Sequence, residues 1–203
     1  MSAKPSTEVD SLTVRPLARD TWPAFADLVA RHNGVFGGCW CTYFHSLSRD
    51  PNRTYESNRE LKCALVEEGR AHAALVFDQD VAVAWAQYGP PEELPNLHHR
   101  QEYEAGLVTP PDFRITCIFV DRRYRRSGIA ALALRGALDL IAEAGGGLVE
   151  GYPHDMSKQP EGKKMSSSFL YNGTRRMYEE AGFTYQRSKG LKNCVMTQAV
   201  DPA

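Results

Sequence analysis

The chain has 203 residues, 42% of them hydrophobic, and a formal net charge of −1. This length and apolar content suit one globular domain, and the near-neutral charge excludes the basic excess of a general nucleic-acid-binding protein. No apolar run reaches the roughly 18 residues of a membrane span, and residues 1–10 are polar, without the apolar centre of a signal peptide. We therefore predict a flexible tail over residues 1–10 and a single domain over residues 11–203, in a cytosolic protein that binds neither nucleic acid nor membrane.

The first half of the domain mixes predicted strands and helices. Residues 11–16 alternate apolar and polar side chains, which is typical of a strand, and Asp20 is placed to cap the helix that follows. A second helix is predicted over residues 57–69, after a segment rich in aromatic side chains. Two β-type runs, residues 73–77 and 81–88, flank a short polar turn and predict a hairpin.

The second half contains the most regular pattern in the chain. Residues 92–111 are polar and contain prolines, so we expect a loop with one short helix. A strand over residues 114–120 then leads into a helix over residues 126–144, whose apolar side chains recur every third or fourth position. This order predicts an α/β fold with a mixed, mostly antiparallel central sheet flanked by helices. The remaining predicted elements are a strand (148–152), a polar loop (153–167), a helix (169–181) and two closing strands (183–187 and 193–199).

The junction between the central strand and the long helix is suited to an anion. Its basic turn holds Arg125 and Arg126, and the small residues Ser127, Gly128 and Ala130 follow. Backbone N–H groups at a helix start lack intrahelical acceptors and carry the positive end of the helix dipole. Small side chains let a phosphate approach that backbone closely. Arginines clustered here, in a nearly neutral chain, favour a small anionic ligand.

The order of elements and two motifs resemble the GNAT acyltransferase superfamily, whose donor is acetyl-CoA. In that family the pattern Arg/Gln-x-x-Gly-x-Gly/Ala binds the CoA pyrophosphate, and it matches residues 125–130. A second signature, Tyr-x-x-x-Gly-Phe at the end of a helix, matches residues 178–183. Two motifs in the expected order are more specific than one. The resemblance covers residues 12–199, and the sequence looks like a bacterial branch of the superfamily. It departs from the family pattern at Tyr171 and Thr174, where many relatives have asparagine and alanine.

The resemblance implies a donor site and a proton donor. Backbone amides from Arg126 to Ala131 would hold the pyrophosphate, and Ile118, Phe119 and Val120 would pair with the pantetheine arm like an added strand. The same strand would supply the N–H that stabilises the oxyanion, and Tyr178 would protonate the leaving thiolate. The implied cofactor-binding residues are Ile118, Phe119, Val120, Arg125, Arg126, Ser127, Gly128, Ile129, Ala130 and Ala131.

The general base is less clearly marked. A lysine-like amine titrates near pH ~10.4, so an amine acceptor needs a group that takes its proton. Residues 114–120 contain no carboxylate, which leaves Glu150, on the next predicted strand, to act directly or through a water. The alternative for Glu150 is a solvent-facing strand position. His154 and Asp155 follow on the same stretch and either line the site or lie on the loop surface.

Cys39, Cys41, His45 and Cys63 raise the question of a metal site. A zinc site needs four well-spaced ligands, usually as two pairs, and Cys-x-Cys without a second pair does not supply them, so we predict no metal. We expect reduced thiols that pack among the neighbouring aromatic side chains. This aromatic segment is also a candidate wall of the acceptor pocket.

The sequence thus predicts an N-acetyltransferase that moves an acetyl group from acetyl-CoA to an amine of a small molecule or peptide, by direct attack in a ternary complex. Two alternatives stay open. One is a non-catalytic CoA-binding sensor or regulator, and the other is a thiol-dependent acyltransferase that uses Cys39 or Cys41. The identity of the acceptor and the number of subunits also stay open, with a homodimer among the alternatives.

Overall fold

The computed structural model describes residues 11–47, 53–158 and 170–203. The predicted tail, the second half of the predicted 153–167 loop and the first residue of the predicted 169–181 helix lie outside these ranges. Within them, no helix is both long and apolar enough to cross a bilayer. The helices are α1 (Trp22–Ala30), α2 (Tyr55–Glu67), α3 (Arg100–Ala105), α4 (Ile129–Glu143) and α5 (Arg175–Glu180). The strands are β1 (Thr13–Pro16), β2 (His72–Asp78), β3 (Val81–Gly89), β4 (Phe113–Val120), β5 (Gly147–Gly151), β6 (Thr184–Lys189) and β7 (Asn193–Val200).

The seven strands form one sheet in the order β1-β2-β3-β4-β5-β7-β6. Each neighbouring pair is antiparallel except β4 and β5, which are parallel. This confirms the predicted mixed, mostly antiparallel sheet. The parallel pairing covers Phe113–Ile115 against Val149–Gly151. From residue 116 onward β4 has left β5, so the sheet is split along one edge of its central strand.

Helices cover both faces of the sheet, as predicted. On one face α1 and α2 pack over a core that includes Phe25, Trp85 and Phe119. On the other face α4 packs across β2, β3 and β4, with Leu134 and Ile118 in a second core. Successive residues of a strand point to opposite faces. Beside the split, Phe119 therefore belongs to the first core and Ile118 to the second.

Two helix starts differ from the prediction. The residue before α1 is Thr21 rather than Asp20, and its hydroxyl accepts from the Ala18 N–H (2.8 Å) and donates to the Pro16 carbonyl (2.7 Å). The long helix α4 begins at Ile129, not at residue 126. Arg126 and Gly128 have φ angles of 65° and 81°, and such left-handed residues interrupt a right-handed helix.

The last helix is much shorter than predicted. α5 begins at Arg175, and residues 170–173 form a turn in which the Gly173 N–H bonds to the Leu170 carbonyl (2.9 Å). Thr174 ends this turn and caps the helix by accepting from the Met177 N–H. Gly173 has a φ of 72°, so the turn cannot continue as a helix.

Candidate active site

A cavity of about 720 Å³ lies between the edge of β4 that β5 leaves uncovered, the start of α4 and the turn at residues 170–173. Its far wall is the loop after α1, where Phe36 packs edge-on against Phe119 (ring centroids 6.2 Å apart). Sequence reasoning did not place this loop at the site. The cavity brings together the predicted cofactor-binding residues Ile118, Phe119, Val120, Arg125, Arg126, Gly128, Ile129, Ala130 and Ala131.

The start of α4 presents main-chain donors to this cavity. The Gly128 carbonyl accepts from Ala131 (3.0 Å) and Leu132 (3.1 Å), so the helix is already formed at its first turn. The amides of Ile129 and Ala130 precede any intrahelical acceptor and carry the positive end of the dipole. A Cβ added to Gly128 would meet no atom of the described residues within 4 Å, which shows that this backbone faces open space. The geometry fits a diphosphate.

Ser127 is the predicted binding residue that does not line the cavity. Its hydroxyl donates to the Tyr124 carbonyl and closes the basic turn from within. The same turn is held from its other end by Asp121, a residue that sequence reasoning missed. Asp121 accepts from the backbone N–H (3.0 Å) and the guanidinium (2.9 Å) of Arg123. Burial alone would raise the pKa of Asp121, but these hydrogen bonds hold it well below its usual range.

The uncovered edge of β4 is partly used by the chain itself. The Ile118 N–H donates to the Tyr171 carbonyl at 2.6 Å, and the Asp121 N–H points the other way, to Val83 of β3 (2.8 Å). Because alternate residues of a strand direct their N–H groups to opposite edges, the Val120 amide lies on the same edge as that of Ile118. The Ile118 and Val120 amides, two of the predicted main-chain donors, therefore lie on the edge of β4 that β5 leaves uncovered, and the Tyr171 carbonyl occupies the Ile118 amide.

Tyr178 is fully buried behind the cavity rather than on its wall. Its ring packs edge-to-face on Phe183 (centroids 4.8 Å apart) and lies directly over Gly151, where a Cβ would overlap the ring carbon Cε1. Gly173, which lies next to this ring, lines the cavity, and Tyr178 itself does not. The Tyr178 hydroxyl has no hydrogen-bond partner among the described residues. Burial raises the pKa of this hydroxyl, so it stays protonated at neutral pH and has a proton to donate.

Glu150 is buried, not solvent-facing, and it lies on the opposite face of β5 from Tyr178. Its Oε2 accepts from the hydroxyls of Tyr103 and Tyr152, both at 2.6 Å. Arg114 completes the group by donating to the Tyr103 hydroxyl (3.3 Å). Glu150 lines a second cavity of about 340 Å³ and not the cavity at α4. The structure thus separates the two candidate catalytic residues.

His154 and Asp155 are also buried rather than on the loop surface. Asp155 accepts from the Ser157 hydroxyl (2.6 Å) and from Arg175 (3.4 Å). His154 joins the turn before α5 to β7, through backbone pairing with Thr174 and Asn193. Both residues therefore hold the segment that carries Tyr178, instead of lining the cavity.

A buried lysine lies beside the cysteine segment and was missed by sequence reasoning. Lys62 of α2 is fully buried, and its Nζ donates to Gln87 Oε1 (2.6 Å) and to His45 Nε2 (3.1 Å). Burial lowers the pKa of Lys62 to about 8. A signal was present, because Lys62 stands three and four residues before the buried Leu65 and Val66 and therefore on the same helix face.

The same contacts bear on the thiol alternatives. His45 Nδ1 bonds to the Glu93 carbonyl (2.9 Å), and its Nε2 takes the hydrogen bond from Lys62, so both ring nitrogens are engaged away from Cys39 and Cys41. Burial, followed by the charge of Lys62, lowers the pKa of His45 to about 2. Over the part of the chain that the structure describes, no group of three or more His, Cys, Asp or Glu side chains is placed to hold a metal ion.

Comparison with known proteins agrees with this architecture. The family model described as "Acetyltransferase (GNAT) family" matches residues 36–151, and no curated protein sequence matches significantly. An acetyltransferase of the GNAT family from Desulfovibrio desulfuricans is 16% identical, with a TM-score of 0.52, over 93% of this chain and 99% of its own. A mosquito arylalkylamine N-acetyltransferase-like protein, 5b, is 13% identical (TM-score 0.52; 93% and 100% covered). The PaiA N-acetyltransferase of Thermoplasma acidophilum, solved in complex with coenzyme A, is 11% identical (TM-score 0.50; 93% and 99% covered). At these identities the solved structures establish the fold.

Proposed function

Because the chain belongs to the GNAT acetyltransferase family, we propose that it transfers an acetyl group from acetyl-CoA to the amine of a small molecule or peptide. The observation that carries the proposal is the cavity that joins the uncovered edge of β4 to the first turn of α4. One part of this cavity offers hydrogen bonds to an extended chain, and the other offers amides and arginines to an anion. Acetyl-CoA has both parts and supplies the activated acyl group.

The pyrophosphate site is supported by charge as well as by shape. Arg122, Arg125 and Arg126 line the cavity around the first turn of α4. A favourable charge at a helix start contributes about 0.3–1 kcal/mol, and up to about 2 when partly buried. Several amides acting on a multiply charged diphosphate therefore add up to useful affinity. Gly128, whose backbone is left-handed, lines the cavity at the start of this turn.

The pantetheine arm would lie along β4. The Val120 amide would bind it first, because it lies on the uncovered edge. The Ile118 amide would become available when the Tyr171 carbonyl is displaced. In this arrangement the thioester would sit near Ile118, and a freed main-chain N–H there would stabilise the developing oxyanion.

Tyr178 would donate the proton to the leaving thiolate. A buried hydroxyl without a partner costs about 1–3 kcal/mol, and a sulfur atom that arrives with the substrate would supply the missing acceptor. The raised pKa of Tyr178 keeps the hydroxyl protonated at neutral pH, so its O–H would be available to the leaving thiolate as a hydrogen-bond and proton donor. Gly151 leaves the space in which the ring is held.

Glu150 is our candidate for the general base, and the second cavity would then be the approach of the acceptor. This cavity places the carboxylate beside Arg187 and Thr197. The two tyrosine hydroxyls bond to the same oxygen, Oε2. Proton transfer would then run through Oε1, directly or through a water.

A thiol-release assay with acetyl-CoA and a panel of amines tests the proposal. Wild type should release CoA with at least one amine, and Tyr178→Phe should bind acetyl-CoA normally but turn over about 10²–10⁴ times more slowly. Binding without turnover on any amine would favour the sensor alternative. A covalent acetyl-enzyme that disappears in Cys39→Ser or Cys41→Ser would instead show a thiol-dependent reaction.

A further inference from the structure

Two buried cysteines from distant parts of the chain meet beside the candidate donor cavity. The sulfurs of Cys41 and Cys117 lie 2.7 Å apart, although 76 residues separate them in sequence. Both side chains are only 2% exposed. Two thiols at this separation need to approach by well under 1 Å to reach the disulfide bond length of about 2.04 Å. We propose that Cys41 and Cys117 are a site of reversible disulfide formation.

The bond would join two walls of the cavity. Cys117 immediately precedes Ile118, whose side chain lines the cavity, and Cys41 belongs to the loop that supplies Val35 and Phe36. Cys41 itself has a φ of 52°, a conformation that its surroundings impose on a residue with a side chain. The two sulfurs are therefore brought together by the fold around them.

The surroundings of the pair favour oxidation of Cys41 first. The Lys62 amine is close enough to act electrostatically on both cysteines, and it donates hydrogen bonds to the neutral groups Gln87 and His45. Burial would raise the pKa of Cys41, but the contact with Cys117 and the charge of Lys62 lower it. The pKa of Cys117 is raised well above its ordinary value by burial and by Cys41. Cys41 is thus the thiol of the pair that loses its proton more readily, and thiolates are the species that react with peroxides.

Burial of both thiols restricts the oxidant to a small one, and hydrogen peroxide meets this requirement. The Cys41 thiolate attacks one peroxide oxygen, the O–O bond breaks, and hydroxide leaves to take up the proton that Cys41 had released. Cys117 then attacks the sulfur of the resulting sulfenic acid, the S–S bond forms, and the S–O bond breaks with loss of water that includes the Cys117 proton. Two thiols lose two electrons, and one peroxide becomes two water molecules. A thiol reductant reverses the bond.

The test uses the full chain and does not depend on acetyl transfer. Reduced protein is treated with one equivalent of hydrogen peroxide, and thiols are counted after denaturation. We expect the count to fall from five to three, the intact mass to fall by two hydrogens, and a non-reducing peptide map to show Cys41 linked to Cys117. Because the bond closes a long loop, the unfolding temperature should rise by several degrees and return on reduction.

Cys63→Ser is the matched control, because Cys63 lies on α2, is not fully buried, and interacts with Glu67 (3.7 Å) instead of a thiol. This variant should still form the linked peptide, whereas Cys117→Ser should not lose two hydrogens. Retention of five thiols by the wild type, or a map that joins Cys39 to Cys41, overturns the proposal. Both of these results are measured on the wild-type protein, so they stand even where a variant fails to fold.

Discussion

Replacing Gly128 by alanine tests the anion site with a matched control elsewhere in the chain. Gly128 has a φ of 81°, and a Cβ added there would meet no atom of the described residues within 4 Å. Gly69, which follows the end of α2, has a φ of 70° and equally open surroundings. The two substitutions therefore impose the same kind of backbone strain without a steric clash, but only Gly128 borders the cavity.

The expected magnitudes follow from this pairing. A side chain in the left-handed region costs roughly 1–2 kcal/mol, part of which is recovered from the lower entropy of the unfolded chain. Gly128→Ala and Gly69→Ala should each lose about 1 kcal/mol of stability, or about 2–4 °C in unfolding temperature for a chain of this size. At Gly128 the added methyl group would also stand in the open space through which a phosphate approaches the backbone. Loss of one hydrogen bond to the charged phosphate should cost a further ~1.5–3 kcal/mol of binding, which is about a 10- to 100-fold weaker affinity for CoA.

Thermal unfolding and calorimetric titration with CoA measure the two effects separately. We expect both variants to melt slightly below the wild type, and only Gly128→Ala to bind CoA more weakly. An unchanged, wild-type CoA affinity in Gly128→Ala would refute the assignment of the α4 start as the diphosphate site. Equal weakening in both would show that strain, and not position, affects binding.

Three further changes probe the neighbouring elements. Tyr178→Phe removes a hydroxyl without a partner among the described residues, so unfolding by denaturant should show unchanged or slightly higher stability, and a loss above ~1 kcal/mol would contradict the burial argument. Gly151→Ala should lower stability by about 1–3 kcal/mol through overlap with the Tyr178 ring, and turnover should fall more than CoA affinity; an unchanged unfolding midpoint would contradict this packing. The pKa of Lys62 is lowered from 10.5 to about 8 in the folded chain. Between these pH values the unfolded chain binds more protons than the folded chain, so the free energy of unfolding, reduced at low pH by the buried charge, increases as the pH rises. The stability of the wild type relative to Lys62→Met should therefore increase by about 1.4 kcal/mol per pH unit across this window in denaturant unfolding under reducing conditions, and a constant difference would contradict a charged, buried Lys62.

The fold was largely predictable because its signals are local. Periodic apolar residues predicted α4 and the β2–β3 hairpin, and one of the two short motifs lies on the wall of the cavity at the start of α4. The start of α4 was misplaced by three residues because Arg126 has a left-handed conformation that its residue type does not indicate. The last helix was overextended because Gly173 ends a turn there, and its positive φ depends on contacts with the rest of the fold.

The site was predicted in part, and what was missed depends on contacts between distant residues. Glu150 looks solvent-facing by residue type, but Tyr103 comes from 47 residues away to bury and bind it. Lys62 is charged, and only its position on the buried stripe of α2 marked it. The occupation of the Ile118 amide by Tyr171 could not be read from any motif, because it joins two segments that meet only in the folded chain.

The central claim is that the start of α4 binds the diphosphate of CoA. The most direct test is calorimetric titration of the wild type with CoA and with pantetheine, which lacks the diphosphate and the nucleotide. If main-chain amides at the start of α4 hold the diphosphate, CoA should bind at least tenfold more tightly than pantetheine. Added salt should reduce this difference in affinity, because it screens the charge of the diphosphate. Absence of heat with CoA, or equal affinity for the two ligands, would contradict the account.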